Sequence, residues 1–142
     1  MAGFRFRVRD LMTREVQTLG HNDRLELADD LMKMERIRHL PVVDEDDGRL
    51  IGIVSQRDLF RGALVRALGF GEHGQKKILE SLRVKEVMHT DVATVGPDAH
   101  VREAARLMLD RKIGCVVVME GERLVGIVTE SDFVALFVRE DD

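Results

Sequence analysis

The chain contains the same ordered set of residues twice, and this duplication constrains its fold more than any other feature. Ten residues between Val8 and Val42 recur, in the same order and spacing, between Val84 and Val118. With two residues fewer in the following turn, the stretch RLVGIVTESDF then matches the earlier RLIGIVSQRDL. Because a fixed order of residues that occurs twice is typical of a repeated supersecondary unit, the chain is predicted to fold as two similar copies.

The first half of each copy is predicted to be a short strand followed by an amphipathic helix. The strands are expected at residues 16–18 and 92–94, each before a glycine-containing turn. Asp98, which follows a proline, is the predicted N-cap of the second helix. One apolar stripe at helical spacing runs along that helix and consists of Val101, Ala104, Ala105 and Met108.

The second half of each copy is predicted to be a hairpin that leads into another helix. The two acidic turns, DEDDG and EGER, each separate a pair of apolar runs. The unbroken run Val116–Val118 predicts a strand that is covered on both faces. The helices are expected to begin near Ser55 and Thr129. The predicted strands are 40–43 and 50–54 in the first copy and 115–119 and 124–128 in the second.

The element order of each copy is therefore β-α-β-β-α, which places the chain in the α+β class. A half of about 60 residues buries only about 60% of its surface, so the two copies are expected to pack about a pseudo-twofold axis as one compact module. The predicted segments are an N-terminal arm at 1–7, the first copy at 8–64, a helical and glycine-rich linker at 65–83, the second copy at 84–139 and a tail at 140–142.

Composition argues against several classes of protein. The net charge of -4 provides no general attraction to nucleic acid or to anionic membranes. No apolar run approaches the roughly 20 residues that a membrane-spanning helix requires. Cys115 is the only cysteine, and its apolar neighbours predict a buried thiol rather than a disulfide. We therefore expect a cytoplasmic protein with neither membrane nor nucleic acid among its partners.

Neither a metal site nor a catalytic centre is expected. The five histidines are scattered, and no pair of them has the spacing of metal ligands. Ser55 and Thr129 have no histidine in the local pattern that would activate a nucleophile. We therefore expect a binding module rather than an enzyme, with no required cofactor.

Two further motifs have simple structural interpretations. The stretch GFGEHG at Gly69–Gly74 matches GxGxxG, but it follows a helical pattern rather than a strand, so a turn between helices is favoured. The arm FRFRVRD alternates apolar and basic residues. It is predicted to be an edge segment with Phe4, Phe6 and Val8 packed inward, although a contact between its arginines and ligand phosphates or nucleic acid stays open.

The repeated stretches SQRD and TESD admit two interpretations. A Ser or Thr followed three residues later by a carboxylate is the signature of a helix capping box. A helix that begins directly after a strand also directs free N–H groups and a positive dipole end toward an anion. One ionised carboxylate can accept hydrogen bonds from both hydroxyls of a ribose, and the occurrence of Asp rather than Glu in both copies favours such a contact.

The doubled sequence resembles a tandem pair of CBS domains, the modules named after cystathionine β-synthase. The resemblance lies in LPVVDEDDGRLIGIVSQRDL and VVVMEGERLVGIVTESDF, and in the leading pieces VRDLMTREVQTL and VKEVMHTDVATVGPD. It extends over most of the chain, from Val8 to Phe137. The resemblance implies two clefts that bind adenine nucleotides or related ligands, and a homodimer of such pairs.

The resemblance also implies roles for individual residues. Contacts with ribose and phosphate fall to Ser55 and Asp58 in the first copy and to Thr129 and Asp132 in the second. Val117 stands where the family pattern has proline, so equal affinity of the two clefts is not expected. The residues that would enclose the base are Thr18, His39 and Pro41 in the first copy and Thr94, Cys115 and Val117 in the second.

Basic residues distinguish the two copies. Arg38, His39 and Arg57 are candidate phosphate partners in the first copy, where Arg38 and His39 immediately precede the cleft strand. The second copy has Gly114 and Cys115 at the places of Arg38 and His39, and its candidates are Arg111 and Lys112. The first cleft is therefore predicted to favour more highly phosphorylated ligands, and the second a nucleoside or a monophosphate.

Two functional hypotheses follow. The first is a regulatory sensor that binds AMP, ADP, ATP or S-adenosylmethionine and passes the signal to an unknown effector protein. Its mobile element is expected to be the segment 61–83, because a ligand shifts a conformation only through contacts that differ between states. The second hypothesis is a structural module for homodimerisation or docking, in which the paired Ser or Thr and Asp serve only as helix caps.

Overall fold

The computed structural model describes the backbone of residues 5–67 and 71–139, and their side chains except those of 62–67, 71–73, 75 and 78. Its elements, in chain order, are α1 (Val8–Leu11), β1 (Leu19–Gly20), α2 (Leu25–Glu35), β2 (His39–Val43), β3 (Leu50–Ser55), α3 (Gln56–Ala67), α4 (Gly71–Ser81), a 3-10 turn (Val84–Glu86), β4 (Thr94–Val95), α5 (Val101–Arg111), β5 (Cys115–Glu120), β6 (Arg123–Thr129) and α6 (Glu130–Arg139).

These elements form two compact units. The first unit is Gln17–Asp91, and the second unit combines residues 5–16 with residues 92–139. Each unit contains one three-stranded sheet, in which a short parallel strand lies beside an antiparallel hairpin. The predicted α+β class, the two repeats and both hairpins are therefore confirmed.

The register of the hairpins is the same in both units. His39 lies opposite Ser55 in the first, and Cys115 lies opposite Thr129 in the second. Each hairpin has a register shift near its turn, between Val42 and Val43 or between Val118 and Met119. The end of each third strand, where a helix begins at once, is therefore fixed against the start of its neighbour.

Each sheet is covered by the apolar face of a helix. In the first unit Ala28 and Met32 of α2 belong to one buried cluster with Leu40 and Val54 of the hairpin. In the second unit the helix α5 packs in the same way on β5 and β6. Val116, Val117 and Val118 are all fully buried, as the continuous run of valines predicted.

The first strand of each copy lies further along the chain than predicted. The observed strands are Leu19–Gly20 and Thr94–Val95, rather than 16–18 and 92–94. In the second unit the N–H of Val117 donates to the carbonyl of Ala93 at 3.0 Å. The matching residue of the first copy is Pro41, which has no N–H to donate, so pairing there begins only with Leu19.

One predicted helix start is wrong. Asp98 is not the N-cap of α5, because the helix begins at Val101, and Asp98 forms an ion pair with Arg9. The cap is His100, whose Nδ1 accepts the N–H of Arg102 at 3.1 Å. In the described part of FRFRVRD, the predicted edge segment pairs through one antiparallel bridge between Arg7 and His100, and Val8 then begins α1.

The apolar positions of that arm still face inward where they are described. Val8 is buried, Phe6 is half-buried and Arg5 is exposed. The N–H of Val8 donates to the carbonyl of Ala99, which ties the arm to the segment before α5. Phe4 lies outside the described residues.

Helix occupies most of the predicted linker. The last helix of the first copy extends to Ala67, and α4 occupies Gly71–Ser81. The predicted glycine-rich turn is therefore partly wrong, because Gly71 and Gly74 lie within α4, while residues 68–70 lie outside the described residues. A helix rather than a strand precedes GFGEHG, in agreement with the rejection of a dinucleotide-binding motif.

The leading segment of each copy, residues 8–13 in the first and 84–89 in the second, packs on the sheet formed by the other copy. Ile53 of β3 and His89 exchange two backbone hydrogen bonds of 2.9 Å, and Thr13 exchanges a similar pair with Ile127 of β6. The glycine beside each strand residue provides room for a methionine of the leading segment. A Cβ on Gly52 would lie 2.7 Å from Met88 Sδ and 3.0 Å from the carbonyl oxygen of His89.

This packing predicts that Gly52→Ala destabilises the protein. The added methyl group must displace Met88 and the backbone of His89, so we expect a loss of about 1–3 kcal/mol in the free energy of unfolding, measured by urea denaturation. Gly96→Ala is the matched control, because its Cβ would meet no atom within 4 Å. Equal stability of the two variants would contradict the role assigned to Gly52.

Candidate functional site

The first site lies where β3 ends and α3 begins. The N–H of Ser55 donates to Asp58 Oδ2 at 2.7 Å, and the N–H of Asp58 donates to Ser55 Oγ at 3.2 Å. This is the reciprocal capping box that the sequence predicted. Asp58 is the only charged side chain that is buried in the described part of the chain. A carboxylate with so little contact with water is strongly dependent on its hydrogen-bond donors.

His89 supplies the second donor to that carboxylate. Its Nε2 lies 2.6 Å from Asp58 Oδ1, while the imidazole itself is 63% exposed. Since a carboxylate only accepts hydrogen bonds, Nε2 carries the proton in this contact. The leading segment that pairs with Ile53 places His89 here.

The sequence did not single out His89 as a site residue. The sequence did contain a signal for it, because the repeat aligns His89 with Thr13. Each follows a methionine that packs on a glycine of the hairpin, Gly52 or Gly126. Recognising that signal required knowing which sheet each leading segment joins.

The second site repeats the junction with different contacts. The N–H of Thr129 donates to Asp132 Oδ2 at 2.8 Å, and Thr129 Oγ1 lies 3.4 Å from the same oxygen. Thr129 Oγ1 also lies 2.9 Å from the hydroxyl of Ser131. No side chain in the described part of the chain donates to Asp132 Oδ1 within hydrogen-bond distance.

The environment of Asp132 disfavours its charged form. Burial raises the pKa of Asp132, and the hydrogen bonds from the N–H and hydroxyl of Thr129 offset only part of this effect. Arg139, at the end of α6, acts in the same direction as Thr129. A donor from a ligand would therefore stabilise the ionised carboxylate further.

The predicted wall residues of the first site lie on neighbouring strands. His39 begins β2 opposite Ser55, and Pro41 follows two residues later, so both face the same side of the strand. Thr18 immediately precedes β1 and is exposed. Pro41 is buried and His39 is half-buried, which leaves the imidazole accessible at the strand end.

The matching wall of the second site is more apolar. Cys115 lies opposite Thr129, and Thr94 pairs with Val117. Cys115 and Val117 are both buried. Burial raises the pKa of the Cys115 thiol to about 12, so the side chain is a neutral apolar surface at physiological pH.

The candidate phosphate partners differ in their relation to the helix starts. The carbonyl of Arg38 accepts the N–H of Gln56 at 2.8 Å, which places Arg38 beside the N-terminus of α3. Arg57 is exposed in the first turn of the same helix. In the second unit the carbonyl of Gly114 makes the equivalent contact with Glu130, so this position has no side chain.

The remaining basic candidates of the second unit lie at the end of α5. Arg111 is its last residue, and Lys112 follows as a C-cap with a φ of 55°. Both are exposed, and Glu130 adds a negative charge at the start of α6. Side chains around the second site therefore offer less positive charge to a phosphate than those around the first.

The described residues contain neither a metal-binding cluster nor a helix that could span a membrane. No group of three or more His, Cys, Asp and Glu side chains among them could hold a metal ion. None of their helices is long and apolar enough to cross a membrane.

A profile of the family described as "CBS domain" matches residues 8–64 and 84–139. The chain belongs to the CBS domain family. The two matches correspond to the two copies, so the resemblance to a tandem CBS pair is confirmed.

Solved CBS structures are similar to the chain over nearly its whole length. A protein assigned to acetoin utilization (AcuB) from Vibrio cholerae is 40% identical, with a TM-score of 0.78 over 94% of this chain and 91% of that chain. The CBS pair of MJ0100, in complex with 5'-methylthioadenosine and S-adenosyl-L-methionine, is 29% identical, with a TM-score of 0.76 over 95% and 98%. CBSX2, in complex with AMP, is 27% identical, with a TM-score of 0.76 over 96% and 99%.

Curated relatives contain the CBS pair in chains of different length. This chain is 35% identical to the protein MJ1404 of Methanocaldococcus jannaschii and spans 31% of its length. It is 32% identical to YlbB of Bacillus subtilis and spans 78% of its length. The chain therefore spans less than a third of one relative and most of the other.

The environment of Asp132 predicts a pH dependence of stability. Because its pKa is raised in the folded state, the stabilising contribution of this carboxyl group is present below its ordinary pKa of 3.8 and is lost as the pH rises through the folded value. The stability of the wild type relative to Asp132→Asn should therefore fall as the pH increases from about 3.5. Urea denaturation between about pH 3 and pH 7 measures this difference.

Asp110→Asn, which removes an exposed carboxylate on α5, is the matched control for the loss of one negative charge. If the stability of the wild type relative to Asp132→Asn rises with pH, ionised Asp132 is stabilised by the fold, which would contradict this expectation.

Proposed function

We propose that this CBS pair is a regulatory module that binds adenosine-containing ligands at the two sites and catalyses no reaction. One observation carries the proposal. In each unit an aspartate carboxylate is held, by the N–H at the end of a strand, against the N-terminus of the following helix. Related CBS pairs of known structure contain AMP, or 5'-methylthioadenosine and S-adenosyl-L-methionine.

Three chemical features of each site match the three parts of an adenine nucleotide. Asp58 and Asp132 each have one oxygen occupied by the backbone, and their remaining acceptor capacity suits the two hydroxyls of a ribose. The first N–H groups of α3 and α6 suit a phosphate. The wall residues, with Pro41 at the first site and Val117 at the second, suit the flat face of a base.

The two sites are proposed to differ in preference. The first has Arg38, His39 and Arg57 near the helix start, which favours ADP or ATP. The second has Gly114 and Cys115 in place of Arg38 and His39, which favours a nucleoside or a monophosphate. S-adenosylmethionine carries no phosphate, so the second site is its expected place.

The output of binding is proposed to pass to another, unidentified protein. The segment 61–83 is the proposed mobile element, and it contains most of α3 and all of α4. Regulation of this kind requires only that a ligand prefers one state of the module over another. The cytoplasm is the proposed compartment.

A thermal-shift panel with AMP, ADP, ATP, S-adenosylmethionine and 5'-methylthioadenosine tests the proposal. A ligand that binds only the folded state raises its stability by about 2.7 kcal/mol at a hundredfold excess over the dissociation constant. Asp58→Asn together with Asp132→Asn should abolish the shift. Asp110→Asn should leave it unchanged, because this exposed carboxylate lies on α5.

The sugar contact has its own control among the ligands. 2'-Deoxy-AMP should bind at least about tenfold more weakly than AMP, because a hydrogen bond to a charged group contributes about 1.5–3 kcal/mol. The absence of a shift with every ligand would instead favour the docking module, in which the aspartates serve only as caps.

We further propose that two copies of the chain associate through α6. Val134, Phe137 and Val138 lie at i, i+3 and i+4 on this helix and are more than 60% exposed, so they form one apolar stripe. A twofold axis would bring this stripe against itself and remove both copies of it from water.

Light scattering measures the predicted association. The wild type should have the mass of two chains, and Phe137→Glu should have the mass of one, because a buried charge would oppose the interface. Leu109→Glu is the matched control, since Leu109 is 79% exposed on α5 and outside the stripe. A wild type with the mass of one chain would contradict the homodimer.

A further inference from the structure

The two aspartates differ in what contacts their second oxygen. Asp58 Oδ1 is occupied by His89 Nε2 at 2.6 Å. Asp132 Oδ1 has no side-chain donor within hydrogen-bond distance in the described part of the chain. The first oxygen of each carboxylate, by contrast, accepts the same backbone N–H at 2.7 or 2.8 Å. The difference between the sites therefore concerns one oxygen atom.

The difference between the sites arises at one position of the leading segments, which is His89 in one and Thr13 in the other. These positions match, because His89 exchanges two backbone hydrogen bonds with Ile53 and Thr13 exchanges two with Ile127. Both are also preceded by the methionine that packs on the GIV glycine. The backbone is thus held alike in the two units, and only the identity of the side chain decides whether it reaches the carboxylate.

A ribose and His89 would compete for the same atom. Two vicinal hydroxyls need acceptors on one carboxylate, and Asp58 Oδ2 already accepts from the backbone of Ser55. The imidazole of His89 is 63% exposed, so it has space to turn away into solvent. A ribose hydroxyl that takes the place of the imidazole at Asp58 Oδ1 displaces a short hydrogen bond, whereas a ligand at the second site displaces no described side chain from Asp132 Oδ1.

We propose that His89 competes with the ribose of a ligand for Asp58 Oδ1 and so weakens the binding of adenosine-containing ligands at the first site relative to the second. Any ligand with a ribose replaces the imidazole contact by a hydroxyl contact, so this exchange gains little for adenosine, which has no charged group to bind. ATP also gains contacts between its phosphates and the helix N-terminus with Arg38 and Arg57 nearby, and these contacts offset the displacement. The inference rests on the proposed function, since it concerns ligand choice at the same site.

Exchange of the two residues between the units tests the inference. His89→Thr is measured in the Asp132→Asn background, in which the first site alone retains its carboxylate. Thr13→His is measured in the Asp58→Asn background, in which the second site alone does. By isothermal titration calorimetry, His89→Thr should tighten adenosine binding at the first site about tenfold, and Thr13→His should weaken it at the second site by a similar factor. Tenfold corresponds to one hydrogen bond of about 1.4 kcal/mol.

ATP provides the internal control for each exchange. Its affinity at the first site should tighten by a similar factor, because its ribose displaces the same imidazole and its phosphate contacts are unchanged. If His89→Thr leaves adenosine affinity at the first site unchanged, while ATP still binds there, the inference is wrong and the proposed function stands. If no adenosine ligand binds either site of the wild type, the proposed function fails and the inference with it.

Displacement can also be observed directly. The imidazole ¹⁵N–¹H correlation of His89, assigned by its loss in His89→Thr, should shift when ATP fills the first site of the Asp132→Asn protein. Circular dichroism and the melting temperature establish that each variant is folded. A His89 correlation that is unchanged at saturating ATP would overturn the proposed competition.

Discussion

A hydrogen bond from the last N–H of a strand to a carboxylate three residues later fixes the junction on which both units depend. In the first unit it joins Ser55 to Asp58, and in the second it joins Thr129 to Asp132. The bond makes the helix begin immediately after the strand, so the helix N-terminus stays at the edge of the sheet. It also uses only one oxygen of each carboxylate and leaves the other available for a further donor.

The two junctions have the same backbone hydrogen bond but different side chains around it. Pro41 lacks the N–H that Val117 donates, and Arg38 has a side chain where Gly114 has none. His89 occupies the second oxygen of Asp58, whereas the second unit has Thr13 at the matching position. A duplicated scaffold thus presents two sites of unequal charge, which is the physical basis of the proposal that they prefer different ligands.

Local sequence patterns correctly predicted the elements that are stabilised by residues close to them in the chain. The hairpins and the helix starts after Ser55 and Thr129 followed from apolar runs, acidic turns and capping signals. The first strands were placed too early, because their pairing is set by a distant strand. In the first copy Pro41 also lacks the N–H that Val117 donates in the second, so pairing begins only with Leu19. Asp98 was predicted to be a cap, but α5 begins at Val101 and is capped by His100, whose imidazole is not among the usual capping side chains.

Sequence alone was sufficient to show that the chain folds as two copies of one unit, and it identified the paired residues at each strand-to-helix junction. Both features are encoded by order and spacing within short stretches. The tertiary structure was needed to show that each leading segment joins the sheet of the other copy, and therefore that His89 contacts Asp58. This contact joins residues far apart in the chain. It arises because the backbone of His89 pairs with that of Ile53, and periodicity within a short stretch of sequence does not indicate such a pairing.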